Sequence, residues 1–363
     1  MNLDFAPSDW KRIQHAYSQW WAGTLPRPLC FLTVKGRDPG RPEPDLPAHD
    51  FASFYGLDVS ADSIADRMIY DLECLRFLGD SFPLVTPNFG PGVIAAFLGL
   101  ELENGVDTVW FHPPEGIEME DVEMKFDADN IWFKRIREIY HAVAARGEGL
   151  IQLGMTDLGG NLDILASFRN SQDMLLDLYD VPEIVELKAQ QAHDIWWKYF
   201  DELNTVIQPA HPGYIAWTPL YSETPYYILQ CDFGYMISTE MFNRFALPEI
   251  TKTCEKLTNP FFHLDGPGML KHLDALLQIP ELKGVQWIPG AGQPPITEWP
   301  EVYRKIRAAG KLIQFWTSQD PLGWRAIDVL AEQLGSAQGI MMFGEAPAED
   351  EQEIRKMLAR HSA

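Results

Sequence analysis

Cysteine is scarce in this chain, and Cys30, Cys74, Cys231 and Cys254 stand far apart with no CxxC pair among them. That spacing excludes a disulfide framework and a cysteine-built zinc cluster as organising principles. Basic residues are outnumbered, 29 against 52 acidic ones, for a formal charge of -23. Nucleic acid and anionic membrane surfaces would repel such a chain, so neither is expected as a partner. Long apolar runs are missing too, and Met1-Asn2-Leu3-Asp4-Phe5 lacks the basic-then-apolar profile of a signal peptide. A cytoplasmic protein with no membrane partner is the expectation. There is no internal repeat and no low-complexity segment. What is present is a 46% hydrophobic chain of 363 residues, enough for a sizeable core, with twelve tryptophans and 27 prolines. Large rings at loop mouths often wall a pocket.

Punctuation by glycine and proline divides the chain into alternating elements. Residues 1–26 form an N-terminal helical extension, with an amphipathic helix over 7–23 that ends in Trp20-Trp21. A first strand runs from Arg27 to Val34, a loop from Gly36 to Pro47, and a helix capped by Ser60 from there to Leu78. Phe82 to Phe89 is the next strand. Residues 106–127 read as an inserted hairpin or lid, with Thr108–Phe111 and Val122–Phe126 as its arms. A helix over 130–145, a strand over 149–155, and helices around 171–178 and 182–203 follow. Strands at 213–219, 261–264, 284–288, 311–317 and 339–343 then alternate with helices. Eight strands separated by helices predict an α/β fold of the (β/α)8 TIM barrel type in a single domain over 1–363. A doubly wound open sheet stays open as the alternative, since periodicity does not prove closure.

One stretch concentrates chemistry. Phe261-Phe262-His263-Leu264-Asp265-Gly266 ends a strand in a glycine turn, and alternation places His263 and Asp265 on one side. They arrive at the C-terminal strand end, where ligands gather in parallel α/β folds. Equally, His263 reads as a satisfied histidine and Asp265 as a helix cap. Asp232 reads as a general base or substrate-orienting acid, or as a turn acid; Cys231 before it reads as a nucleophile or as a buried thiol. Substrate contacts are expected from Asn88, from Trp217 and Tyr221 at one mouth beside Tyr226 and Tyr227, from Gln286, which alternates with Trp287, and from Trp316. Lys35 and Arg37 could receive an anionic group.

Several segments resemble the uroporphyrinogen decarboxylase-like superfamily. They are Phe168 to Glu183, the acidic loop Cys231-Asp232-Phe233-Gly234 with Ile237 to Phe242 and Leu247-Pro248 behind it, and Phe262-His263-Leu264-Asp265-Gly266. The resemblance implies a (β/α)8 barrel. Its decarboxylases carry an arginine-rich loop, of which Gly36-Arg37 remains, and an acid where this chain has Asn88. Its corrinoid-dependent methyltransferases bind zinc through a His-x-Cys pair and a distant cysteine. In their places stand His263, Asp265 and Glu345. The resemblance therefore implies a divalent metal, zinc first and manganese or iron next, at a one-histidine, two-carboxylate site. The leading expectation is a methyltransferase-like enzyme acting on a small molecule, with the corrinoid carried by a separate partner protein. A decarboxylase of a tetrapyrrole or other aromatic acid is the alternative. A non-catalytic barrel that binds a tetrapyrrole or docks a corrinoid protein is the third.

Overall fold

Short apolar runs bounded by turn residues become strands. The computed structural model describes residues 1–106, 108–114 and 116–362. Among them lie β1 (Leu29–Lys35), β2 (Leu75–Gly79), β3 (Leu84–Val85), β4 (Glu101–Asn104), β5 (Val109–His112), β6 (Gln152–Leu153), β7 (Tyr226–Leu229), β8 (Asn259–Asp265), β9 (Gly284–Ile288), β10 (Leu312–Trp316) and β11 (Ile340–Ala346). Seven form one sheet in the order β2-β1-β11-β10-β9-β8-β7. Only β2 runs antiparallel within it. Helices cover its faces, so β7 and β9 are buried along their whole length.

The result is a mixed α/β fold around a mostly parallel sheet. β3 and β6 form a separate parallel pair. The Met155 N–H donates to the Ile215 carbonyl at 2.8 Å, which carries the hydrogen bonding beyond that pair. The ordered sheet ends at β2 and β7, and closure into an eight-stranded ring is not detected. No helix among the described residues is long and apolar enough to cross a membrane.

Three sequence expectations are corrected. The helix capped by Ser60, whose Oγ accepts the Ser63 N–H at 3.1 Å, ends at Glu73 rather than Leu78. Leu75–Gly79 instead pairs with β1, a partner distant in sequence that overrides local propensity. Residues 213–219 hold only the bridge Tyr214↔Ser222, and the buried strand here is Tyr226–Leu229. In the hairpin, β5 pairs with β4 rather than with Val122–Phe126. Lys188 occupies carbonyls in that region, donating to Glu120 O at 3.0 Å and Val122 O at 2.5 Å. After α2 (Ala61–Glu73), α3 (Ile94–Phe97) and α4 (Ile131–Gly147), the helices expected around 171–178 and 182–203 are α5 (Asn161–Asp180), with Asn170 at φ 54° inside it, and α6 (Pro182–Ala210).

The N-terminal helix α1 (Asp9–Trp21) lies against an aromatic cluster. Trp20 packs on Phe261 with ring centroids 6.2 Å apart, and Trp21 on Tyr226 at 5.6 Å. Phe261 and Tyr226 sit at or near the start of their strands, so α1 covers the sheet at the end opposite Asp265.

Candidate active site

The end of β8 carries His263 and Asp265 and stops at Gly266, whose φ of 77° disfavours any residue with a Cβ. A Cβ there would also meet the Tyr235 ring at 2.9 Å. Asp232 arrives from the turn that follows β7. Its backbone N–H and that of Phe233 donate to the Asp163 carboxylate at 3.1 and 2.7 Å. Asp163, in the first turn of α5, also accepts from the Gly160 N–H at 3.2 Å, so one carboxylate anchors both the helix start and the Asp232 turn. Asp232, His263 and Asp265 thereby each present one ligand atom, all within 4.8 Å of one another.

A row of side chains across four neighbouring strands orients the imidazole. His263 is registered opposite Gln286, Gln286 opposite Gln314, and Gln314 opposite Met341. The Met341 sulfur has no hydrogen to give, so the Gln314 amide nitrogen faces it, at 3.0 Å. Gln314 Oε1 then accepts from Gln286 Nε2 at 2.9 Å, which leaves Gln286 Oε1 to accept from His263 Nδ1–H at 2.5 Å. The consequence is a neutral imidazole protonated at Nδ1, with the lone pair on Nε2. Burial holds the His263 pKa below its ordinary value despite the opposing pull of Asp265 and Gln286. Trp217 packs edge-on against the ring at 5.0 Å.

Acid dominates the electrostatics. Asp232 is reachable by solvent but ringed by protein, which pushes its carboxyl well up; Asp163, Asp265 and Asp157 add like-charge repulsion. Burial raises Asp157 to about 7, opposed by hydrogen bonds from the Gly159 and Gly92 backbones and from Gln230. Burial also pushes the Cys231 thiol far up, which makes it a packing residue rather than a nucleophile. Neither the Asp232 nor the Asp265 carboxylate accepts a hydrogen bond from the described residues, and one imidazole with two carboxylates is a donor set that suits zinc, manganese or iron.

The third member of the compact group is thus Asp232, not Glu345. Glu345 lies opposite Thr33 in the β1–β11 pairing and forms an exposed ion pair with Lys35 at 3.0 Å. Arg37 is committed internally, donating to Asn2 O, Asn2 Oδ1 and Glu73 O at 2.7 Å each. Tyr221 is buried against α1, with Trp10 and Tyr17 at 5.8 and 5.9 Å, and is a packing residue at the far end. Tyr226 and Tyr227 are buried in β7. Lys35, Asn88 and Trp316 line a cavity of 1180 Å³ over the strand ends, and Trp316 stacks on Phe343 at 5.6 Å. Gln286 faces His263, while Trp287 alternates away to pack on Trp299 at 5.2 Å.

Sequence reading missed Asp157, Asp163, Gln230, Gln314 and Met341. A signal existed for Gln314, a polar residue inside the apolar run Leu312-Ile313-Gln314-Phe315-Trp316, and for Asp163, an acid just past Gly159-Gly160 at a helix start. Compared against protein-family models and against curated protein sequences, the chain matches none.

Proposed function

We propose that the chain is a (β/α)8-barrel enzyme that moves a methyl group from or to a small molecule, acting with a corrinoid carried by a separate protein. In this reading Asp232, His263 and Asp265 hold a divalent cation, zinc first and manganese or iron next. The cation would supply Lewis acidity to polarise the bound substrate. One observation carries the reading: three potential ligand atoms converge within 4.8 Å, and the glutamine row leaves His263 Nε2 with a free lone pair. The barrel itself is supported by the order β1, β11, β10, β9, β8, β7 and by the Met155–Ile215 hydrogen bond beyond β6. The kinship with the corrinoid methyltransferases rests on the sequence resemblance. A decarboxylase is less well supported, because Lys35 and Arg37, the cations that would hold an anionic substrate, are already engaged.

The test is the metal content of untagged protein. Near-stoichiometric metal is expected, lost in His263→Ala, strongly reduced in Asp232→Asn and unchanged in Glu345→Gln. Methyl exchange with added cobalamin should follow the same order. Protein that holds no zinc, manganese or iron after each is added back would overturn the metal site.

A further inference from the structure

We propose that the cavity enclosed by the β4–β5 hairpin, α5 and the turn after β7 binds a small organic cation bearing N–H donors, and that this cation is part of the substrate. The assignment rests on the reading above only in taking Asp232 as a member of the reaction site.

The cavity has a volume of 510 Å³, and Asp232 is in its wall. Its polar lining offers acceptors. Gln230 is 5% exposed, lines the cavity, and has a buried Oε1 with no hydrogen-bond partner among the described residues. A buried amide oxygen without a donor is costly until a ligand supplies one. The Asp232 carboxylate is likewise without a hydrogen-bond donor, and Asp163 adds negative charge behind it. Among the described residues that line the cavity there is no lysine or arginine. His112 is there, but its Nε2 is held by Glu103 at 2.7 Å on the same hairpin.

The remaining wall is aromatic. Phe111 and Phe233 line the cavity with Trp110, a large ring that is 58% exposed. Rings beside carboxylates attract a cation through their π faces. An anion would meet the grouped acids Asp232 and Asp163 with no cation in the lining to offset them, whereas a bound cation favours the ionised carboxylate that burial and mutual repulsion otherwise disfavour. An uncharged apolar ligand would leave both Gln230 Oε1 and Asp232 unanswered. A quaternary ammonium would satisfy the rings and the charge but could not donate to Gln230. Primary or secondary ammonium and amidinium groups satisfy all three features at once. With a divalent cation on Asp232, Asp163 and Gln230 remain to face the ligand.

Calorimetric titration of the full chain, in chelator and again with zinc, tests this with four probes of one shape: benzylammonium, benzyltrimethylammonium, benzyl alcohol and benzoate. Benzylammonium should bind about tenfold more tightly than benzyl alcohol or benzyltrimethylammonium, with benzoate weakest. Trp110→Ala, on an exposed hairpin and so without consequence for folding, should weaken benzylammonium about fivefold. Gln230→Met should abolish its advantage over benzyltrimethylammonium. Equal binding of benzyl alcohol, preference for benzoate, no binding of any probe, or indifference to Trp110→Ala would overturn the proposal. Metal content is read separately on the same samples. Loss of the cation preference with metal retained refutes this inference alone, and absence of metal with the preference intact refutes the metal site alone.

Discussion

At the scale of single residues, the site is governed by carboxylates placed where water does not fully solvate them. Asp157 is the sharpest case. Its folded pKa is about 7, against an unfolded value of about 4, because burial disfavours the charged form. The folded state therefore holds a proton that the unfolded state has lost, and stability falls as pH rises across that window. Below it both states are protonated and no penalty exists; above it both are ionised and the penalty is complete. Asp157→Asn keeps an oxygen to accept the Gly159 N–H at 2.8 Å and removes the titration. The variant should melt higher than the parent at about pH 8.5 and coincide with it near pH 4, as read by thermal denaturation across pH. Glu345 shows the opposite situation. Its exposed pair with Lys35 contributes less than about 1 kcal/mol, so Glu345→Gln should leave the urea midpoint almost unmoved.

At the scale of elements, the register of β8 to β11 converts strand pairing into chemistry. Each member of the row His263, Gln286, Gln314 and Met341 lies opposite the next, and the sulfur at its end sets the direction of every amide. Gln314→Leu should release that constraint without opening the core, since Leu fills similar volume. Nitrogen chemical shifts of His263 in metal-free protein should then report a mixture of tautomers, and metal affinity should fall by about tenfold or more. An unchanged tautomer with unchanged affinity would reduce the row to packing. Much of this was legible in the sequence: alternation alone put His263 and Asp265 on one side of a strand end. The hydrogen-bonded row was not, because cross-strand register depends on how separate segments align. The hairpin was half legible for the same reason. Its β5 arm was visible, but the β4 partner Glu101–Asn104 is polar and exposed and carries no strand pattern.

At the scale of the whole molecule, α1 and the acidic face divide the labour between the two ends of the sheet. Trp20, fully buried between Trp21 and Phe261, seals the end away from Asp265. Trp20→Ala should cost about 3–5 kcal/mol, seen as a lower urea midpoint, while leaving the metal content of the surviving folded protein unchanged. Composition by itself determined that the chain builds a large core and carries a strong negative charge, and glycine and proline punctuation that strands alternate with helices. Local pattern determined the α1 helix, the Ser60 cap and the β8 end, because these depend on neighbours within a few residues. Only the tertiary structure decided that Leu75–Gly79 is a strand, that Tyr221 is buried under α1, and that Asp232 rather than Glu345 joins His263 and Asp265. Those outcomes follow from which distant segments share a hydrogen-bond ladder or a packed face. One-dimensional spacing holds no information about that choice until the chain has closed its long loops.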